Sequence, residues 1–282
     1  MNTIQAVGAP FNISYSSCGT RAPKTFSWVN HENEIKVFMD SHLLHGLDGN
    51  KNNKKFGWFC ESRIVKQPVF EHIKNNLNVY KESYNKLFTC DEELIKLDSD
   101  FFVFCFAGSN LPWTPEQEYG LHNKTKKISF LCSPNSMSDG HRYRISWAEK
   151  LKNKVDLYGG VCGSRKIGVI GNQHYHHKRK TEAMNDYMFS VAFENTKYNT
   201  YFTEKVTDCF ANGVIPVYFG TDNIKNYFDE NGIIFLQDNF DPDSLSENFY
   251  RERIDSVRNN LEKVKQLEMS DDMVYRKIKE II

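Results

Sequence analysis

Residues 187–220 run as an apolar stretch, a polar loop, a short capped amphipathic segment and a second apolar stretch, and few folds accept that order. Residues 187–193 (YMFSVAF) are almost wholly aromatic and apolar and predict a buried strand. Thr203 suits the N-cap of a helix over residues 204–211 that stops at Asn212-Gly213. Val206, Cys209 and Phe210 then share one face at i, i+3 and i+4. Residues 214–219 (VIPVYF) predict a second strand, broken off by Gly220. Strand, loop, helix, strand is the repeating unit of a parallel α/β layer. Such a unit has no packing need for Glu194, Asn195, Tyr201, Glu204 and Lys205 between its strands. Ligands of parallel layers bind where loops leave the carboxyl ends of the strands, and a helix start there presents free N–H groups to an anion such as phosphate. Lys205, in the first helical turn, opposes the helix dipole and makes sense beside an anion. The plain alternative is a solvated surface lysine.

The 282 residues suffice for two modest domains, and the formal net charge of +0 gives nothing to recruit nucleic acid or an anionic membrane. The first residues lack a charged and apolar leader pattern, and no apolar run reaches membrane-spanning length. Seven cysteines without paired metal-type spacing suit reduced thiols in a reducing compartment.

Two halves are expected. Residues 1–125 hold candidate strands at 35–39, 56–60 and 86–89, a helix over 71–85, a short helix over 91–97 and a buried run at 101–107. The polar stretch 120–127 suits a boundary. Residues 126–240 repeat strand and helix with better definition. In the tail, Leu245, Phe249, Ile254, Val257, Leu261 and Val264 lay an apolar face back on the core. The expectation is two Rossmann-like α/β domains facing a cleft, an N-terminal one over 1–125 and a C-terminal one over 126–282, closed by C-terminal helices.

The stretch FENTKYNTYFTEK (193–205), followed by a helix and ANGVIPVYFG (211–220), resembles the donor-binding motif of the α-1,3-fucosyltransferases, glycosyltransferase family 10. That motif has FEN, a short loop with an aromatic, TEK, a helix and a Pro-centred strand ending in Gly. The likeness continues more weakly upstream, through residues 128–133, Arg144, Leu151 and 156–159, and spans roughly residues 126–240. It implies an inverting enzyme of the GT-B type, with an N-terminal acceptor-binding domain over 1–125 and a C-terminal donor-binding domain over 126–282, that moves fucose from GDP-fucose to a glycan hydroxyl without a required metal. Animal members are membrane-anchored in the Golgi; the absence of such an anchor here suggests a soluble, cytoplasmic, bacterial or viral form. Another nucleotide sugar on the same scaffold, or a non-catalytic nucleotide- or glycan-binding relative, is the alternative.

Sugar transfer from a nucleotide needs a base for the acceptor hydroxyl and charge relief for the departing diphosphate. Asp98-Ser99-Asp100 and Asp241-Pro242-Asp243 formally fit a metal-binding Asp-x-Asp, but a loop and a helix cap account for them better. Helix dipoles and basic side chains supply the alternative, with Lys205 first and Arg165, in a Gly-rich turn, second. Arg165 stands one residue nearer Gly168 than the family spacing, so Lys166 competes with it. Residues 174–180 (HYHHKRK) suit a basic loop better than a metal site. The resemblance puts Arg144, Glu194, Asn195, Tyr201 and Glu204 on the donor side, with Glu204 accepting from ribose hydroxyls. Their ordinary roles would be an Asx turn for Asn195, packing for Tyr201 and a favourable first-turn charge for Glu204. The family's base is a glutamate after an N-terminal strand, near Glu-Ser-Pro. Glu61-Ser62-Arg63 is the similar site here, with Arg63 in place of the proline, and a Glu61–Arg63 surface pair is the rival reading.

Overall fold

A computed structural model describes residues 2–8, 16–18, 20–51, 54–162 and 177–282, with the side chains of 177–179 not described. The chain forms two compact units: residues 1–110, 198–201 and 268–282 in the first, and residues 111–197 and 202–267 in the second.

The first unit is built on a six-stranded parallel sheet of β1 (Asn2–Val7), β2 (Phe26–Val29), β3 (Ile35–Met39), β4 (Lys54–Phe59), β5 (Leu87–Thr89) and β6 (Phe102–Phe104), in the order β2-β1-β3-β4-β5-β6. Helices α1 (Gln67–Asn75), α2 (Leu77–Ser83) and α3 (Glu92–Leu97) belong to it. Phe59, Phe70, Ile73, Tyr80, Leu87 and Phe102 form its core. The single helix expected over 71–85 is two. Asn76 leaves helical geometry (φ −129°, ψ 31°) and its side-chain amide donates to His72 O at 2.9 Å, so the side chain competes with the helix for that carbonyl.

The second unit holds a five-stranded parallel sheet of β7 (Lys126–Leu131), β8 (Asp156–Tyr158), β9 (Tyr187–Phe193), β10 (Ile215–Phe219) and β11 (Ile234–Phe235), in the order β11-β10-β9-β7-β8. Its helices are α4 (Asp139–Leu151), α5 (Glu204–Ala211), α6 (Glu247–Arg251) and α7 (Ile254–Gln266). Every residue of β9 is buried, as a central strand requires. Phe130, Trp147, Phe189, Val191, Ile215 and Val217 form its core. The last helix, α8 (Ser270–Ile281), packs in the first unit. Its Asp271 carboxylate accepts from Trp28 Nε1 at 2.7 Å and Ser17 N at 3.0 Å.

Each sheet is the expected parallel α/β type, but the units divide at residue 110, so the boundary placed at 125/126 falls inside the second one. Residues 111–124 are fastened to α5. Thr114 N donates to Asp208 at 2.8 Å, and Lys124 Nζ donates to Asn212 O at 2.7 Å. Buried polar anchors of this kind look like a linker in sequence. Among the described residues no helix is long and apolar enough to cross a membrane.

Both sheets share one topological property. In each, the second strand in sequence lies outside the first, and later strands add on the first strand's other side. Such sheets bind ligands outside the carboxyl ends of the strands where the order reverses. That point lies between β1 and β3 in the first unit and between β7 and β9 in the second.

Candidate functional site

In the second unit, the reversal point is where the polar loop begins. β9 ends at Phe193, and Glu194 and Asn195 follow at its carboxyl end. Glu194 is fully buried and holds the start of α5: Thr203 N donates to Oε1 and Thr203 Oγ1 donates to Oε2, each at 2.8 Å. Thr203 is the N-cap, as expected, and Lys205 Nζ donates to its Oγ1 at 2.9 Å. Lys205 also lies 3.6 Å from Glu194 and 3.6 Å from Glu204. It is therefore not a solvated surface lysine but part of a ladder of alternating charge. The ladder continues from Glu204 to Lys180 at 3.6 Å, and from Lys180 to the buried Asp208 at 2.7 Å.

Burial pushes the Glu194 carboxyl up, with Lys205 opposing the shift. Glu204 feels the same burial, but Lys205 and Lys180 together outweigh it and hold the carboxyl below the ordinary glutamate value. An ionised Glu204 at a helix start is an acceptor, as recognition of hydroxyl groups requires.

A second helix start lies on the same side. The backbone of α4 begins with Ser138, whose Oγ accepts from His141 N at 3.3 Å and bonds His141 Nδ1 at 2.6 Å. An ideal Cβ on Gly140 would stand 1.9 Å from Asn195 O, so the first turn of α4 presses directly on the backbone after β9. Only glycine permits that approach. Arg144, 6% exposed, donates through Nη2 to Ser133 Oγ at 2.9 Å and Ser133 O at 3.2 Å, beyond the carboxyl end of β7. Its Nε is buried and has no hydrogen-bond partner among the described residues. Burial, then Arg144 and Lys205, bring the His141 imidazole down to about 4, so it is neutral at pH 7. His141 lies near two cations, Arg144 and Lys205, beside two helix starts, surroundings that suit an anion.

The first unit carries a different constellation. Glu61 lies beyond the carboxyl end of β4, and its Oε1 accepts from Ser62 N at 2.7 Å and from Tyr201 OH at 2.7 Å. Asp40, directly after β3, has left-handed backbone (φ 44°) and a buried carboxylate. That carboxylate accepts from Cys60 N at 2.9 Å and Glu61 N at 3.2 Å, which fixes the turn carrying Glu61. Burial, reinforced by Glu61, pushes the Asp40 carboxyl up to about 6. Arg63 does not pair with Glu61. It pairs with Asp91 at 3.2 Å and with Glu93, and lies over the Tyr198 ring at 4.1 Å.

The structure thus groups Arg144, Glu194, Asn195, Glu204 and Lys205 in the second unit. Tyr201, expected with them, belongs to the first unit with its hydroxyl on Glu61. Arg165, Lys166 and residues 174–176 lie outside the described residues. The carboxylates of the two Asp-x-Asp stretches are engaged with lysines: Asp98 with Lys81 at 2.5 Å, and Asp241 and Asp243 with Lys154 at 2.8 Å each. Sequence alone does not single out His141, Asp208 or Asp40 and places Lys180 only in a basic loop, where the structure pairs it with the buried Asp208. Ser138-x-x-His141 is a helix-start pattern that signals the first of these, whereas nothing local marks Asp40.

Each sheet, with its reversal point, defines a parallel α/β protein of the ligand-binding kind, and the second unit carries an anion-ready helix start. Residues 121–260 match the description glycosyltransferase family 10 (fucosyltransferase), C-terminal. The chain is 35% identical over 100 residues to the alpha-(1,3)-fucosyltransferase FucT of Helicobacter pylori, covering 35% of this chain and 20% of that protein. It is 27% identical over 137 residues to alpha-(1,3)-fucosyltransferase B of Drosophila melanogaster, covering 47% and 30%. It is 35% identical over 125 residues to GDP-fucose protein O-fucosyltransferase 3 of Danio rerio, covering 41% and 25%. The chain therefore spans less than a third of the length of these relatives. A crystal structure of an alpha1,3-fucosyltransferase with GDP superposes with a TM-score of 0.52 at 16% identity, over 99% of this chain and 88% of that one, a likeness of fold.

Proposed function

We propose that the protein is an inverting glycosyltransferase that moves fucose from GDP-fucose to a hydroxyl of a glycan. The observation that carries this reading is the start of α5. Glu194 clamps it at the reversal point of a parallel sheet, with Lys205 in its first turn, inside the stretch that matches family 10. In this reading Asn195, Glu204, Lys205 and Arg144 bind the donor, Arg165 joins them, and Glu194 sets the geometry. The N-terminal unit would read the acceptor.

The reaction is a single displacement. Glu61 takes the proton of the acceptor hydroxyl as its oxygen bonds the anomeric carbon. The bond from that carbon to the β-phosphate oxygen breaks on the opposite face, and the electron pair leaves with GDP. Lys205, Arg144 and the helix starts meet the charge that develops on the diphosphate, so no metal ion is invoked. The seven cysteines, spread without paired metal-type spacing, support a reducing compartment such as the cytoplasm of a bacterial or virus-infected cell. The matches to GDP-fucose protein O-fucosyltransferases give a second reading, with a protein hydroxyl as acceptor.

Thermal shift and turnover test this together. GDP-fucose is expected to raise the Tm well above the effect of UDP-glucose, and GDP release is expected to rise with a subset of an acceptor panel of glycans and folded protein domains. No shift with GDP-fucose or GDP removes the donor assignment. A UDP-sugar preference replaces it with another nucleotide sugar, and binding without turnover on any acceptor favours the non-catalytic relative.

A further inference from the structure

We propose that Lys180 is a positioning residue for Glu204 and thereby sets the preference of the site for a nucleotide with ribose hydroxyls, an inference that rests on the reading of Glu204 as the acceptor for those hydroxyls. Lys180 belongs to the short 3-10 helix His177–Ala183 that leads into β9. Its Nζ donates to Asp208 Oδ2 at 2.7 Å and lies 3.6 Å from Glu204 Oε1. Glu204 and Asp208 stand one turn apart on one face of α5, and two like charges at that spacing repel. Both residues are buried, which strengthens the repulsion. One cation between them removes it. Asp208 is fixed in turn from its other oxygen, Oδ1, which accepts from Thr114 N at 2.8 Å and Thr114 Oγ1 at 3.1 Å. The Trp113 ring lies 4.5 Å from the Lys180 ammonium, so the cation is held between an aromatic face and two carboxylates.

Glu204 also meets Lys205, at 3.6 Å from the same Oε1. At that length both contacts are ion pairs rather than hydrogen bonds, so they hold the negative charge without taking up the lone pairs that a hydroxyl would use. The two cations differ in what a nucleotide does to them. Lys205, with 24% of its side chain exposed, is the one proposed to meet the diphosphate, and a diphosphate beside it offsets its charge. Lys180, 14% exposed and tied to Asp208, is the cation that stays with Glu204. Without it, a buried Glu204 one turn from Asp208 takes up a proton more readily, and a protonated carboxyl is a poorer acceptor.

The test uses the full chain and calorimetry with two probes, GDP and 2′,3′-dideoxy-GDP, which lacks both ribose hydroxyls. Lys180→Met keeps the apolar stem and removes the charge. Wild type is expected to favour GDP by at least about tenfold, the scale of a hydrogen bond to a charged group. In K180M that preference is expected to shrink below about threefold through loss of GDP affinity, with dideoxy-GDP binding changed by less than about twofold. Glu204→Ala is expected to lose the preference as well. If K180M folds poorly because Asp208 is left unpaired, the K180M/D208N double variant leaves neither charge of the pair behind and is expected to show the same shrinkage. Equal loss of affinity for both nucleotides without Lys180 would make it a part of the fold or a diphosphate ligand and overturn the inference. So would an undiminished preference. A preference absent from wild type, or retained in E204A, would remove the ribose role of Glu204 and the positioning role with it, while tight GDP binding would leave the donor assignment standing.

Discussion

Thr203 turns both of its hydrogen-bond donors onto Glu194, its backbone N–H to Oε1 and its hydroxyl to Oε2, each at 2.8 Å. A fully buried carboxylate after β9 thereby fixes where α5 begins and how Lys205 is presented. Glu194→Gln offers one acceptor where the native side chain offers two, and leaves a buried donor unmatched. A loss of about 1–3 kcal/mol in denaturant unfolding is expected, together with weaker GDP binding. Undiminished affinity in a destabilised variant would separate the clamp from the site.

Lys205 has carboxylates on two sides and the helix start beneath it. If it meets a diphosphate, Lys205→Ala should weaken GDP binding by about 10- to 100-fold, the scale of a charge-assisted hydrogen bond. Melting temperature is expected to change little by comparison. Calorimetry with GDP checks this, and an unchanged Kd would confine Lys205 to the charge ladder.

Gly140→Ala places a methyl group where Asn195 O already stands, 1.9 Å away. Backbone on both sides leaves no flexible side chain to yield, so α4 must shift from the carboxyl end of β9. GDP affinity is expected to fall although residue 140 carries no functional group. Retained affinity would show that the first turn of α4 takes no part in the site.

Asp40 makes a stability prediction with a definite sign. Its carboxyl is raised from 3.8 to about 6 in the folded protein, so the folded state holds the proton more tightly. That contribution is complete below pH 3.8 and is lost as the pH rises through 6. Asp40→Asn does not titrate. Relative to wild type it should gain about 3 kcal/mol of stability between pH 4 and pH 7, at about 1.4 kcal/mol per pKa unit. Parallel stability–pH curves for the two proteins would contradict the assignment.

The part of the fold legible in the sequence was the part governed by local rules. β9 spans Tyr187–Phe193 as its apolar run predicts, and Thr203 caps α5 as its position before an amphipathic turn predicts. β1 and β2 were not visible, because Asn2–Val7 is half polar and Phe26–Val29 is only four residues long. Non-local partners were hidden as well. Nothing near Asp271 says that its carboxylate will accept from Trp28, one of the contacts that hold α8 in the first unit. The motif singled out residues around 193–205 but not the unit in which each would lie. Tyr201 lies four positions from Lys205, yet its ring is buried beside Cys90.

The central claim is that GDP-fucose is the donor and that its sugar leaves the enzyme on an acceptor. The most direct measurement follows labelled fucose from GDP-fucose onto a panel of glycans and protein domains, with wild type and E61Q side by side. The account predicts label on at least one acceptor with wild type, and loss of that label with E61Q while GDP binding persists. GDP-fucose neither bound nor consumed by wild type would contradict it.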